Sequence, residues 1–179
     1  MILSRSTIST PIGDMLALAS HEGLCALEFV GPERRLSRLE RRLSRWFPPH
    51  EIVDGETPAI GRSRDWLAAY FDGSNAAIGD LPVAMHGAPF EQRVWRALLT
   101  IPPGTTTSYG ALATALGCPG ASRAVGAANG ANPIAIVVPC HRVIGSSGSL
   151  VGYGGGLHRK TWLLNHEAQW RRDAQRSLF

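Results

Sequence analysis

After an opening through Ile8-Ser9-Thr10-Pro11-Ile12-Gly13, the chain sets two apolar blocks, 15–19 and 24–30, parted by the polar break Ser20-His21-Glu22-Gly23. Two antiparallel strands joined by a tight turn are the expected outcome. The spacing then changes. Leu36, Leu39 and Leu43 fall on one face of a helix over residues 33–47, and Arg34, Arg35, Arg38, Arg41, Arg42 and Arg45 fill the rest; the arginines read as the solvated face of an amphipathic helix. A second helix is expected over residues 63–71, before Asp72-Gly73-Ser74-Asn75. Residues 81–89 carry the breakers Pro82, Gly87 and Pro89 with little periodicity, which predicts a domain boundary. A helix over residues 90–99 follows and is stopped by Pro102-Pro103-Gly104.

Residues 107–130 hold two short helical segments. Ser108 is placed to cap the first, over 109–116, and Gly117 to end it. Cys118-Pro119-Gly120 makes a turn, and the second helix runs from Ala121 to about Asn129. Lengths and turn suit a helix-turn-helix. The second helix has Ala or Gly at most positions and Arg123 as its one long polar side chain. A helix reading base edges in the major groove needs several such side chains. Small residues suit close approach in a narrow space, whether the minor groove with weak sequence preference or the protein interior, and periodicity leaves both open. The polar, basic stretch from Trp170 to Phe179 reads as a loosely held tail.

The chain has 179 residues, 44% hydrophobic and 18% charged, enough for one domain with a sizeable core or two small ones. No run is long enough to span a membrane, and the start lacks the apolar segment of a secretory signal, so a cytoplasmic protein is expected. Cys25, Cys118 and Cys140 are an odd count without CxxC spacing, which argues for reduced thiols. The net charge of +4 is uneven: residues 1–87 carry −2 and residues 88–179 carry +6. A positive field over the second half would attract a polyanion such as DNA.

That half contains the most informative pentapeptide, Pro139-Cys140-His141-Arg142-Val143, directly after the apolar run 134–138. A thiol is a strong nucleophile only as thiolate, and a neighbouring base is the usual way to make one. No P-loop, dinucleotide fingerprint or HExxH motif signals a cofactor or metal.

Over residues 90–167 the chain resembles the O6-alkylguanine-DNA alkyltransferase family. The resemblance runs through Arg93-Val94-Trp95, Ile101-Pro102-Pro103-Gly104, Ser108-Tyr109-Gly110, Arg123-Ala124-Val125-Gly126, Asn132-Pro133-Ile134, Pro139-Cys140-His141-Arg142-Val143-Ile144, Gly152-Tyr153-Gly154-Gly155-Gly156 and Trp162-Leu163-Leu164. The N-terminal region matches more loosely, in Thr10-Pro11-Ile12-Gly13. The resemblance implies an α/β (α+β) protein. A ribonuclease-H-like domain would span 1–84, a mainly helical winged-helix-type DNA-binding and catalytic domain 85–170, and a basic tail 171–179.

It further implies DNA repair by stoichiometric transfer of an alkyl group from O6-alkylguanine to Cys140, with no cofactor. His141 would act as base through a water, Glu167 as its orienter, and Asn132 as brace of the turn. Tyr109 and Arg123 would serve base flipping, with Ser122, Ala124 and Gly126 on the DNA-facing helix. Val143, Tyr153, Gly154, Gly155 and Gly156 would line the base pocket, where glycine allows near approach of backbone to ligand. The partner implied is double-stranded DNA, entered from the minor groove by a monomer able to cluster on DNA. Some relatives hold zinc in the N-terminal domain. Here Cys25 lacks partner cysteines and His21 and His50 are not spaced for a site, so no metal is expected. The competing readings are a cysteine hydrolase, a non-catalytic lesion-binding relative, which would lack the cysteine, and a sequence-specific helix-turn-helix regulator.

Overall fold

Strand β1 (Ile2–Ile8) is the centre of the N-terminal sheet, although its middle residues, Ser4 to Thr7, are polar. It pairs antiparallel with β2 (Met15–Ser20) and parallel with β4 (Glu51–Asp54), while β3 (Gly23–Phe29) pairs antiparallel with β2, giving the order β3-β2-β1-β4. The sheet is therefore mixed, where the apolar blocks alone predict an antiparallel pair. The computed structural model describes residues 1–31, 33–74 and 81–176, without the side chains of 33–36 and 171–176. Arg34, Arg35 and Leu36 of the arginine-rich helix, and the last three residues of the expected tail, thus fall outside the described side chains or residues.

The β2–β3 turn closes at Gly23, φ +144°, where a Cβ would lie 2.4 Å from the Pro82 carbonyl oxygen. Only glycine tolerates both the dihedral and the approach. That approach exists because residues 81–84 are more than a linker. Leu24 N–H donates to Pro82 O and Ala84 N–H donates to Leu24 O, each at 2.8 Å, so the segment pairs with β3. Helix α1 (Glu33–Trp46) sets Leu39 and Leu43 into a core with Leu3, Leu18, Cys25, Ala26, Phe47 and Ala84. Each large apolar side chain buried there contributes about 1.5–3 kcal/mol. Helix α2 (Pro58–Phe71) begins before the expected Ser63. Thr57 caps it by accepting from Ile60 N–H, Pro58 takes the first turn, and Ser63 is a buried interior residue donating back to Ala59 O at 2.7 Å. A Pro at the helix start costs no hydrogen bond, and a mid-helix serine satisfies itself this way.

The described residues divide into two compact units. One gathers those of Met1–Asp72, those up to Gly87 and Pro133–Ala135; the other gathers Gly73 and Ser74, Ala88–Asn132 and those from Ile136 on. The second unit is mainly helical, of winged-helix type. Helix α3 (Pro89–Leu98) starts at a proline, with Glu91 Oε2 accepting from Ala88 N–H at 2.8 Å. It buries Val94, Trp95 and Leu98, and Trp95 Nε1 donates to Ala128 O at 2.8 Å. Strand β5 (Thr107–Ser108) leads into α4 (Tyr109–Ala115), whose first turn is capped by Ser108 Oγ accepting from Ala111 N–H. A turn through Gly117 and Gly120 leads to α5 (Ser122–Gly130). A single 3-10 turn, Cys140–Arg142, opens into β6 (Val143–Ile144), which pairs in parallel with β5. Helix α6 (Leu157–Arg176) ends the described chain. The stretch from Trp170 expected as a loose tail is helical as far as Arg176, because its polar residues continue a helix begun by buried Leu163 and Glu167. Among the described residues no helix is long and apolar enough to cross a membrane.

Candidate active site

The apolar run before the pentapeptide is buried throughout, from Ile134 to Val138. It does not continue as a strand. Ile136 has φ +69°, a left-handed conformation that a β-branched residue adopts only under constraint, at a cost of about 1–3 kcal/mol. The constraint is visible on both sides. Pro133 O accepts from Leu27 N–H and Ala135 N–H donates to Leu27 O within the first unit. Beyond the bend, Asn132 Nδ2 donates to Val138 O at 2.8 Å. Cys140 then opens the 3-10 turn, with Cys140 N–H donating to Val138 O and Arg142 N–H to Pro139 O. Cys140 is buried, 7% exposed, and not disulfide-bonded.

The turn sends His141 and Arg142 inward to the same carboxylate. Glu167, fully buried on α6, accepts from His141 Nε2 at 2.7 Å, from Arg142 Nε and a terminal guanidinium nitrogen at 2.9 Å, and from Gly104 N–H at 2.9 Å. Burial alone would raise the Glu167 pKa, but the hydrogen bonds from His141 and Arg142 and the Arg142 charge outweigh it and hold the carboxyl well below its usual range. An ionised carboxylate only accepts, so the His141 proton resides on Nε2 and Nδ1 is the acceptor. Burial lowers the His141 pKa against the pull of Glu167, with Arg142 and Lys160 adding to the lowering, so the ring is neutral at pH 7. Nδ1 is buried with no hydrogen-bond partner. A neutral imidazole with an unused lone pair, oriented by a carboxylate and adjoining a thiol, is a general-base arrangement.

Lys160, completely buried on α6, donates to Val143 O at 2.6 Å and Val151 O at 2.9 Å. Burial lowers its pKa and the Cys140 charge opposes that lowering. Tyr109, half-buried at the start of α4, directs its hydroxyl to the same Val151 carbonyl at 3.4 Å. Its ring lies beside α5, 3.7 Å from where a Cβ on Gly126 would sit. Tyr153 stands edge-on to His141, ring centroids 6.5 Å apart. Val143 is buried in β6, and Gly155 is buried while Gly154 is exposed. Gly156 has φ +94°, and its N–H closes a turn onto Tyr153 O.

The structure thus brings together Cys140, His141, Glu167, Asn132, Tyr109, Val143 and Tyr153. Arg123 and Ala124 lie exposed on the first turn of α5, with Ser122 half-buried beside them. Cys25 is a core residue whose pKa burial raises, and Cys118 sits in the turn between α4 and α5. No group of three or more His, Cys, Asp or Glu able to hold a metal occurs among the described residues.

Four participants escaped the sequence reading. Arg142 had a signal, as a charge inside an apolar motif. Lys160 had another, as the only lysine in a chain whose other basic residues are all arginine. Asn129 and the Gly104 amide had none.

Two family models cover most of the chain. The ribonuclease-like domain of 6-O-methylguanine DNA methyltransferase matches residues 3–85, and the DNA binding domain of the same family matches residues 89–169. The chain is 48% identical over 168 residues to the methylated-DNA–protein-cysteine methyltransferase of Salmonella typhimurium, covering 92% of this chain and 95% of that protein. It is 47% identical over 174 residues to the protein of that name from Mycobacterium tuberculosis, covering 97% and 96%. Among solved structures, the Mycobacterium tuberculosis O6-methylguanine methyltransferase superposes with a TM-score of 0.78 at 43% identity, covering 93% of each chain. The enzyme from that organism in complex with DNA gives 0.76 at 43% identity, covering 95% of this chain and 94% of that one. The buried thiol, base and carboxylate thus sit in a chain that belongs to the 6-O-methylguanine DNA methyltransferase family.

Proposed function

We propose that this chain repairs DNA by direct alkyl transfer. A guanine alkylated at O6 is rotated out of the duplex, its alkyl group passes to Cys140 Sγ, and unmodified guanine is restored. The observation that carries the reading is the buried relay from Arg142 and Gly104 through Glu167 to His141, whose Nδ1 has no hydrogen-bond partner and which follows the free Cys140 in the chain. Nδ1 takes the thiol proton through a water, and Glu167 stabilises the imidazolium that forms. The thiolate attacks the alkyl carbon in line, the C–O6 bond breaks, and Tyr109 donates a proton to the departing guanine. The buried Lys160 cation favours the thiolate. A thioether has no easy leaving route in water, so each molecule acts once, and the chemistry needs no cofactor.

DNA is the partner, as in the complex solved for the Mycobacterium tuberculosis enzyme. In this reading α5 enters the minor groove. Ser122, Ala124 and Gly126 allow close approach, and the exposed Arg123 fills the space left by the extruded base. Val143, Tyr153, Gly154, Gly155 and Gly156 line the pocket, and Asn132 fixes the bend that presents Cys140. The protein acts as a monomer in the reducing cytoplasm.

Intact-protein mass spectrometry after incubation with an excess of duplex containing O6-methylguanine tests the reading, with peptide mapping of the protein and a count of lesions repaired per molecule. A gain of one methyl group on the Cys140 peptide, with no second turnover, is expected. An unchanged mass, or many turnovers per protein, overturns it. Cys140→Ser should abolish transfer and keep lesion binding, because the pocket changes little in shape.

A further inference from the structure

Asn129 lies one helical turn beyond Gly126 on α5, the face against which the Tyr109 ring rests. It is 5% exposed, and its Nδ2 donates to the Cys140 carbonyl at 3.3 Å. An asparagine amide has two N–H donors, and one of them is occupied by Cys140 O. Burial, and then charge on Cys140, raise the Tyr109 phenol pKa above its ordinary value, and the Asn129 amide facing the hydroxyl opposes that rise. The opposite end of the amide, Oδ1, is buried with no partner. The side chain is therefore held by its donor end.

We propose that Asn129 is a positioning residue for the transfer reaction, bridging the main chain of the nucleophile Cys140 and the hydroxyl of the proton donor Tyr109. The proposal rests on the alkyl-transfer reading. As the S–C bond forms and the C–O6 bond breaks, the bonding pair leaves with guanine. The Tyr109 O–H proton passes to the guanine ring, and the phenolate left behind receives the Asn129 N–H before solvent reprotonates it. A donor to the phenolate oxygen makes the phenol a better acid at the moment of transfer. Gly126, one turn earlier on the same face, packs against the ring, 3.7 Å from where a Cβ would sit.

The test is a double-mutant cycle between Asn129 and Tyr109, read as the single-turnover rate of Cys140 methylation by O6-methylguanine duplex over pH 6–10. Asn129→Leu, close in volume and without donors, should slow transfer about five- to tenfold, the worth of one hydrogen bond. It should also move the alkaline limb of the profile upward in pH. In a Tyr109→Phe background the same change should cost less than about twofold. An equal loss in both backgrounds, or an unmoved alkaline limb, overturns the proposal and leaves Asn129 a support of the Cys140 turn. If Asn129→Leu fails to fold, Asn129→Ala, which also lacks side-chain donors, is carried through the same cycle with the same expected and overturning outcomes. Failure of the parent protein to become methylated would refute the alkyl-transfer reading itself, whereas a methylated parent with an additive cycle refutes only the role of Asn129.

Discussion

Between Glu167 and His141 the proton resides on His141 Nε2 because Arg142 and the Gly104 amide keep the carboxylate ionised. This one distribution of charge ties stability to pH. The folded pKa of Glu167 is depressed, so its contribution is present above the ordinary value of 4.5 and is lost as pH falls through the folded value. The folded pKa of His141 is also depressed, by burial. Below the ordinary value of 6.5 the unfolded chain binds a proton that the folded chain does not, and stability falls with acid. Both groups act in the same direction. Urea unfolding at a series of pH values should show stability declining from about pH 6.5 downward and again below about 4.5. Glu167→Gln should remove the lower limb and destabilise the protein at pH 7 by about 3–5 kcal/mol, because it leaves the buried Arg142 without its counter-charge. An unchanged unfolding profile would mean that the ion pair is not held in solution as described.

Elements were legible where local chemistry marks their ends. Ser108 and Gly117 delimit α4 in sequence, and in the structure Ser108 Oγ caps the helix while Gly117 takes φ +73°. Ser108→Ala should cost about 1 kcal/mol in thermal or urea unfolding, the worth of one N-cap. Trp95→Phe should cost about 1–3 kcal/mol, since it removes the indole donor to Ala128 O and part of the volume between α3 and α5. Helix α2 starts before the expected Ser63 because Thr57 caps it and Pro58 takes its first turn, while Ser63 is an interior residue. Strand β1 went unread because Ser4, Arg5, Ser6 and Thr7 hide its alternation, and only its pairing with β2 and β4 reveals it. The far half of α6 has no apolar periodicity, and it is helical because it extends a helix anchored by Leu163 and Glu167.

Across the whole molecule the second half of the chain carries +6 and the first −2. DNA affinity should fall steeply with salt, with a log–log slope of about −0.9 for each phosphate neutralised, measurable by titrating duplex at several salt concentrations. Arg123→Ala should slow transfer from a duplex far more than transfer from free O6-benzylguanine, because only the duplex requires a base to be replaced in the stack. A similar loss on both substrates would place Arg123 in the pocket instead. By itself the sequence determined that a thiol and an imidazole adjoin, at Cys140 and His141, and it determined the helices whose caps and breakers are local. The family resemblance implied Glu167 beside His141, and tertiary structure alone decided that Arg142 and Gly104 converge on the same carboxylate. Glu167, Arg142 and Gly104 meet because a 3-10 turn and a long helix bring residues 63 positions apart to one carboxylate. Asn129 became visible only through the carbonyl it holds. Adjacency is written in the covalent chain, whereas convergence depends on packing, which no local pattern encodes.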